Sequence, residues 1–320
     1  MWNSVRPWLL SAFFISFGIG AILCLYLKII NNIIMPELPE VETIKNDLRK
    51  KVISKKIKSI KVILKRTVKS NFNEFLTNLL DNKFISIERA GKLLIFELKS
   101  KEMFLLVHLK MTGQLIYSEN GRIIPGGHAD ASTIKDLPNK YTRVIIEFCN
   151  GGKLFFNDTR TFGYMKLVGK KELDEIVSKF GPEPGAKEFN YKYLKKLLNK
   201  RTANIKSLLL NQQLIAGIGN IYADEILFKA GVAPERAANS LDENEIKKIN
   251  IAAREILRAA IKYRGTTFND YVDADGNTGN FLKKLKIYGR EGKKCQVCGE
   301  IVKKKKTAGR GTHYCSKCQS

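Results

Sequence analysis

Met35-Pro-Glu-Leu-Pro-Glu-Val-Glu-Thr-Ile-Lys-Asn-Asp-Leu-Arg-Lys-Lys-Val52 is the stretch from which the rest of the chain is best read. Pro39 suits the start of a helix, where its missing N–H goes unneeded. Acids lead the segment and bases close it, each matching the helix dipole. Val41, Ile44, Leu48 and Val52 recur at helical spacing, so one face is apolar. Glu37, Glu40 and Glu42 crowd the first turn. The dipole alone accounts for acids there, but their place just after Met35 adds a second reading. If Met35 is an initiator that is removed, Pro36 becomes an N-terminal secondary amine. Such a group has a pKa of about 7.7–8.0, so on the order of a tenth is unprotonated at neutral pH. It is then a nucleophile capable of a Schiff base, with Glu37 beside it as general acid.

Upstream, residues 1–34 differ in kind. Trp8 to Leu27 carries no charge, is flanked by Arg6 and Lys28, and at about 1.5 Å per residue is long enough to cross a bilayer core. No A-x-A cleavage site follows it. A signal anchor is one reading; a stretch included by too early a start codon is the other. If it stays attached, the Pro36 nitrogen is a tertiary amide and cannot form an iminium.

Downstream, alternating and β-branched runs fall at 57–64, 83–98, 103–109, 143–149 and 152–157, with Asn150-Gly151 as a hairpin signal. Residues 118–140 read as a long polar loop. Gly181-Pro-Glu-Pro-Gly185 is the best domain boundary. Beyond it helices are expected at about 190–199, 203–211, 219–230, 242–263 and 267–273 by the same periodicity. Gly217-Ile-Gly-Asn220 opens one of them and offers backbone N–H groups to a phosphate, a weak signal against a plain helix–helix turn. Asp273-Ala-Asp275-Gly-Asn277 fails as a calcium loop, because Thr278 and Lys284 stand at its sixth and twelfth positions.

Charge and cysteine sharpen the class. The 320 residues hold 56 Lys and Arg against 31 acids, a formal net charge of +25, with 44% apolar residues. That apolar share excludes a disordered basic tail, and the charge points to a polyanion, nucleic acid first. It also argues against an acid-rich secreted enzyme. Cys295-x-x-Cys298, then Cys315-x-x-Cys318, is the spacing of a tetrahedral four-thiolate zinc site in a hairpin too small to fold unaided. With all four positions filled, the zinc is structural. Residues 283–320 carry twelve Lys and Arg against two Glu, as a nucleic-acid reader would.

These motifs together resemble bacterial formamidopyrimidine-DNA glycosylase. The resemblance covers about 36–320, in order: Pro36-Glu-Leu-Pro-Glu-Val-Glu42; Lys92 in E-R-A-G-K-L-L-I-F-E; His108 in H-L-K-M-T-G; Arg160 in N-D-T-R-T-F-G; a helix–two-turn–helix as G-I-G-N-I-Y-A-D-E-I-L-F; Y-G-R with Tyr288; and the zinc finger with Arg310 in T-A-G-R-G-T-H-Y-C. It implies an α+β multidomain fold: an N-terminal helix with an antiparallel β-sandwich over 36–169, a helical domain over 182–282, and a four-cysteine zinc-finger hairpin over 286–320, after an apolar extension at 1–35.

The resemblance also implies function. Family members excise oxidised purines such as 8-oxoguanine and formamidopyrimidines from double-stranded DNA, then cut the strand by two eliminations. By this likeness Pro36 attacks C1′, Glu37 protonates the deoxyribose oxygen, Lys92 serves the elimination, and Arg310 contacts phosphate at the lesion. A base must leave the duplex to be reached, and Met111, Arg160 and Phe162 match the wedge that fills the hole. His108, Arg201, Lys206, Asn220 and Tyr288 match DNA contacts, and Thr266–Phe281 the segment that closes over the flipped base. Tyr141 stands where the family has a histidine, with Arg143 supplying charge nearby; Thr159 and Thr161 also depart from the family. The sister endonuclease VIII begins P-E-G-P-E and lacks the Arg/Phe wedge. The expected setting is a monomer on cytoplasmic, nucleoid DNA, with one structural Zn2+ and no protein partner; a membrane-tethered, non-catalytic DNA binder is the alternative if residues 1–35 are retained.

Overall fold

The computed structural model describes residues 35–100, 102–126, 134, 136–266 and 281–320. The apolar extension, the segment 267–280 and the helix expected at 267–273 lie outside the described residues. Helix α1 (Leu38–Val52) forms as its periodicity predicts and buries Val41, Ile44, Leu48 and Val52. Its entry is closed by Glu40, whose carboxylate reaches back to the Glu37 N–H at 2.9 Å, the second half of a capping box.

The strands build two antiparallel sheets. One has the order β1-β7-β8-β5-β6 (Ile57–Val62, Thr142–Phe148, Lys153–Asp158, Gly113–Glu119, Arg122–Gly126). The other is β2-β3-β4-β9 (Phe84–Ala90, Leu93–Leu98, Met103–His108, Tyr164–Gly169). Their inner faces share a core that includes Phe84, Phe96, Phe148 and Phe156, with the Phe84 and Phe96 rings 5.1 Å apart. The run 83–98 is two strands, because Gly91 takes φ +57° and turns the chain. The loop expected at 118–140 contains β6, an Ile-Ile pair inside a polar setting. Besides β6, four elements went unread in the sequence: β5, β9, and the eight-residue helices α2 (Phe72–Leu79) and α3 (Lys170–Val177). The signal for α2 was present: Phe72, Phe75, Leu76 and Leu79 fall at helical spacing behind the N-cap Asn71.

Glu183, in the Gly181–Gly185 stretch, joins the halves. It takes both Arg89 Nη groups at 2.7 and 3.0 Å and the Gly91 N–H at 2.7 Å, while Arg89 Nε donates to Glu42 of α1 at 2.8 Å. Helices α4 (Tyr191–Leu198), α5 (Ile205–Leu210), α6 (Asn220–Ala230) and α7 (Glu243–Lys262) follow. Helix α6 is buried nearly all round and ends at Gly231 in the left-handed region, φ +75°. The chain closes with the hairpin β10 (Lys303–Thr307) and β11 (Arg310–Tyr314), turned at Ala308 and Gly309, both of positive φ. Residues 35–320 form one compact unit. Among the described residues, no helix is long and apolar enough to cross a membrane.

Phe156 is fully buried between the sheets. Phe156→Ala is expected to lower unfolding free energy by about 3–5 kcal/mol in urea titration, through lost burial and a residual cavity.

Candidate active site and nucleic-acid interface

Pro36 is buried just before α1, and Glu37, buried as well, is the side chain around which the site is built. Its carboxylate accepts the N–H of Gly219 at 2.7 Å and of Ile221 at 2.8 Å. Glu37 thus caps α6 from another part of the chain. Gly217-Ile-Gly-Asn220 does open a helix, as its sequence suggests; the Gly219 N–H goes to Glu37 and the Gly217 N–H to the Gln212 side chain. The second glycine is required by contact: a Cβ on Gly219 would fall 2.2 Å from the Glu37 carboxyl carbon.

Burial raises the Glu37 pKa to about 7; Glu40 adds to the rise, while Lys92 and the helix N–H groups oppose it. Lys92 sits after the Gly91 turn, and burial pushes its ammonium below the usual lysine range. Glu37 and Glu40 pull it back, and Arg310 lowers it further. Pro36, Glu37, Lys92 and Arg310 come from the entry to α1, one β-turn and the zinc-finger hairpin, and the last three share one electrostatic field. Glu40, read in the sequence only as a dipole partner, is a buried hub: it accepts the Tyr222 hydroxyl at 2.7 Å and the Thr266 N–H at 2.8 Å.

The wedge residues stand on two adjoining turns. Met111 is half-buried; Phe162 is 54% exposed, with the Arg160 guanidinium 4.9 Å from its ring. Asp158, which the sequence reading missed, binds both turns. It accepts the Gly163 N–H at 2.7 Å, the Arg160 N–H at 3.1 Å and the Thr112 hydroxyl. Its signal was an acid two residues before a turn, the Asx pattern.

The DNA-contact residues divide. Asn220 donates to the Gly311 carbonyl at 3.0 Å. Tyr288 is held by its N–H to Glu225, which also takes the N–H of Lys286 and Ile287. Arg201 donates to the Leu197 carbonyl at 2.6 Å. Burial, with Lys110 and Lys92, brings the His108 pKa down to about 3. Its ring is therefore neutral, and since Nδ1 accepts the Lys110 N–H at 3.0 Å, Nε2 is left as a single donor. Tyr141 lies half-buried with the Lys140 ammonium 5.1 Å from its ring. Arg143 was expected to supply charge beside it, yet two of its donors hold the carbonyls of Asp158 and Lys140. Lys206, expected at the surface on phosphate, is fully buried and paired with Asp224 at 2.6 Å. A buried ammonium needs a counter-charge, which is why it lies inward.

Cys295, Cys298, Cys315 and Cys318 place their Sγ atoms within 4.8 Å of one another, with 3.4 and 3.9 Å for two of the pairs. Tetrahedral zinc at a Zn–S distance of about 2.3 Å sets sulfur atoms roughly 3.8 Å apart, so the donor set fits one Zn2+. The finger docks on α6 through Phe228, Ile287 and Val302.

Residues 35–165 match the formamidopyrimidine-DNA glycosylase N-terminal domain, 180–272 the helix–two-turn–helix domain of the same enzymes, and 292–320 a zinc finger found in them and in an isoleucyl-tRNA synthetase class. The chain is 43% identical to the formamidopyrimidine-DNA glycosylase of Carboxydothermus hydrogenoformans, across 89% of this chain and all of that one. It is 41% identical to that of Pelotomaculum thermopropionicum, across 89% and 99%. The solved Lactococcus lactis enzyme in complex with Fapy-dG-containing DNA matches with a TM-score of 0.79 at 36% identity, across 89% of this chain and 100% of that one. Fold and site thus define a zinc-finger, helix–two-turn–helix protein of the base-excision class. The chain belongs to the formamidopyrimidine-DNA glycosylase family.

Because the folded-state pKa of Glu37 is raised, the folded protein holds this proton more tightly than the unfolded chain. The stability this gives is complete below about pH 4.5 and is lost as pH rises toward about 7. In urea titrations from pH 4.5 to 7.5, Glu37→Gln is expected to flatten that decline relative to the parent. Chelation of zinc is expected to release one metal per chain, make four thiols reactive to a chromogenic thiol reagent, and unfold the finger first.

Proposed function

We propose that Pro36, Glu37, Lys92 and Arg310 carry a DNA glycosylase and abasic-site lyase reaction on oxidised purines, 8-oxoguanine and formamidopyrimidines, in double-stranded DNA. The observation that supports it best is Glu37: a buried carboxyl whose pKa of about 7 keeps a large share of it protonated near neutral pH, poised as a general acid. In this reading the Pro36 nitrogen attacks C1′ as the bond to the damaged base breaks. Glu37 gives its proton to the ring oxygen, the C1′–O4′ bond opens, and an iminium links Pro36 to C1′. Lys92, deprotonated more readily than an ordinary lysine, assists loss of the C2′ proton and departure of the 3′ phosphate. A second elimination releases the 5′ phosphate and leaves a one-nucleotide gap. Met111, Arg160 and Phe162 fill the space of the flipped nucleotide. Arg310, Asn220, Tyr288, Arg201, His108 and the Tyr141–Arg143 stretch hold the backbone, His108 as a neutral donor. Residues 36–169 serve as the catalytic domain, 182–282 as the helical DNA-binding domain and 286–320 as the zinc finger. The enzyme works where chromosomal DNA lies, in the cytoplasm.

The Lactococcus lactis relative has been solved with Fapy-dG DNA and with abasic-site DNA, the two states this scheme passes through. Its nucleophile requires a free Pro36 nitrogen, so the active protein starts at Pro36. Borohydride added to a protein started at Met35, with initiator removed and 8-oxoguanine duplex present, is expected to trap a covalent adduct; absence of an adduct would falsify the scheme. Glu37→Gln is expected to abolish trapping on 8-oxoguanine duplex while keeping it on a pre-formed abasic site, whose sugar opens unaided. Gly219→Ala, which pushes on the Glu37 carboxyl, is expected to lower single-turnover base excision at least about tenfold, the usual cost of a misplaced acid.

A further inference from the structure

Behind the exposed Arg310 turn lies a wholly buried ion pair. Lys206 of α5 and Asp224 of α6 are both 0% exposed, with Nζ 2.6 Å from Asp224 Oδ1. The other Lys206 donors reach the hairpin: the Thr312 hydroxyl at 2.7 Å and the Gly311 carbonyl at 3.4 Å. The Thr312 hydroxyl in turn donates to the Arg310 carbonyl at 3.1 Å. Asp224 Oδ2 accepts the His313 N–H at 2.8 Å and lies 3.3 Å from His313 Nδ1. Asn220, at the start of α6, adds its own bond to Gly311. Every residue from 310 to 313 is therefore held, directly or through one hydroxyl, by two helices of the preceding domain. A two-residue turn on an isolated hairpin has no such constraint, and a mobile arginine loses side-chain and backbone entropy when it grips a phosphate.

We propose that Asp224 is a positioning residue for DNA recognition: through the Lys206 ammonium and the His313 backbone it presets the pose of the Arg310 turn before DNA arrives. Asp224 does not itself touch DNA. The proposal rests on the reading of Arg310 as a phosphate contact. It explains why a charge pair is kept where apolar side chains of similar size would stabilise as well or better: the pair carries donors and acceptors that reach out to the hairpin, and an apolar pair cannot.

The test is a double-mutant cycle in the zinc-loaded protein. Affinity is measured for a duplex carrying a stable tetrahydrofuran abasic analogue, with and without Asp224→Asn, in the parent and in Arg310→Ala. Asp224→Asn is expected to weaken binding about tenfold with Arg310 present and less than about twofold without it, the non-additivity of coupled residues. Asp224→Asn strands the Lys206 ammonium and can destabilise the fold, so Lys206→Met/Asp224→Leu is measured beside it. This neutral pair is expected to keep the parental thermal midpoint and zinc content and to show the same Arg310-dependent loss. Equal losses in both Arg310 backgrounds, or no loss in the neutral pair, overturn the proposal. If Arg310→Ala alone leaves binding unchanged, the phosphate role of Arg310 falls and the proposal falls with it. If borohydride trapping fails while the coupling persists, the catalytic scheme falls and the proposal stands.

Discussion

The carboxylate of Glu37 at the amino end of α6 is the contact on which the molecule turns. It joins the entry to α1, which carries the candidate nucleophile Pro36, to the helical domain, through N–H bonds from Gly219 and Ile221. A helix end offers unpaired donors and a positive dipole, and both favour the ionised form. Burial and Glu40 act the other way and win, leaving the group near neutrality. Without the helix end, the carboxyl would be a buried group with unmet lone pairs; without the burial, it would be an ordinary ionised cap. Gly219 is fixed by the same contact, since any side chain there would occupy the place of the carboxyl.

The same arrangement recurs at other turns. An acid, distant in sequence or just ahead of a turn, accepts backbone N–H groups and so fixes a turn. The buried Asp158 does so for Arg160, Phe162 and the Thr112 turn, the buried Glu225 for the approach to the finger, the half-buried Glu183 for the Gly91–Lys92 turn, and the buried Asp224 for the Arg310 turn. In a chain of net charge +25, the acids concentrate their effect inside while the bases cover the surface. That division suits a protein whose ligand is a polyanion: outward cations meet phosphate, and inward carboxylates hold the loops that carry them.

Much was legible beforehand because it rests on local patterns. The α1 stripe, the helices from 190 onward within the described residues, and the four-cysteine spacing follow from period and pairing rules that hold over a few residues. The elements α2, α3, β5 and β9 were not, although Phe72, Phe75, Leu76 and Leu79 of α2 do lie at helical spacing: length was no barrier, since α4 and α5 are as short. The Gly217–Asn220 turn opens a helix, as read, but that its Gly219 N–H meets the Glu37 carboxylate was not visible in the turn's own sequence. Lys206, matched by the resemblance to a phosphate contact, is buried against Asp224, and Arg143, matched as a charge beside Tyr141, gives two of its donors to carbonyls.

By itself the sequence determined the α1 stripe, the Pro36-Glu37 pair ahead of it and the zinc hairpin, which depend on residue type and spacing along the chain; Lys92, Arg310 and the wedge triplet entered the candidate site through the family resemblance. Only the tertiary structure decided which charges work and in what state. A pKa near 7 for Glu37 and 3 for His108, the inward Lys206, and Asp158 and Asp224 as organisers all depend on burial, and for Glu37, Lys206 and Asp224 on partners up to 184 residues away; desolvation has no signature in a local pattern.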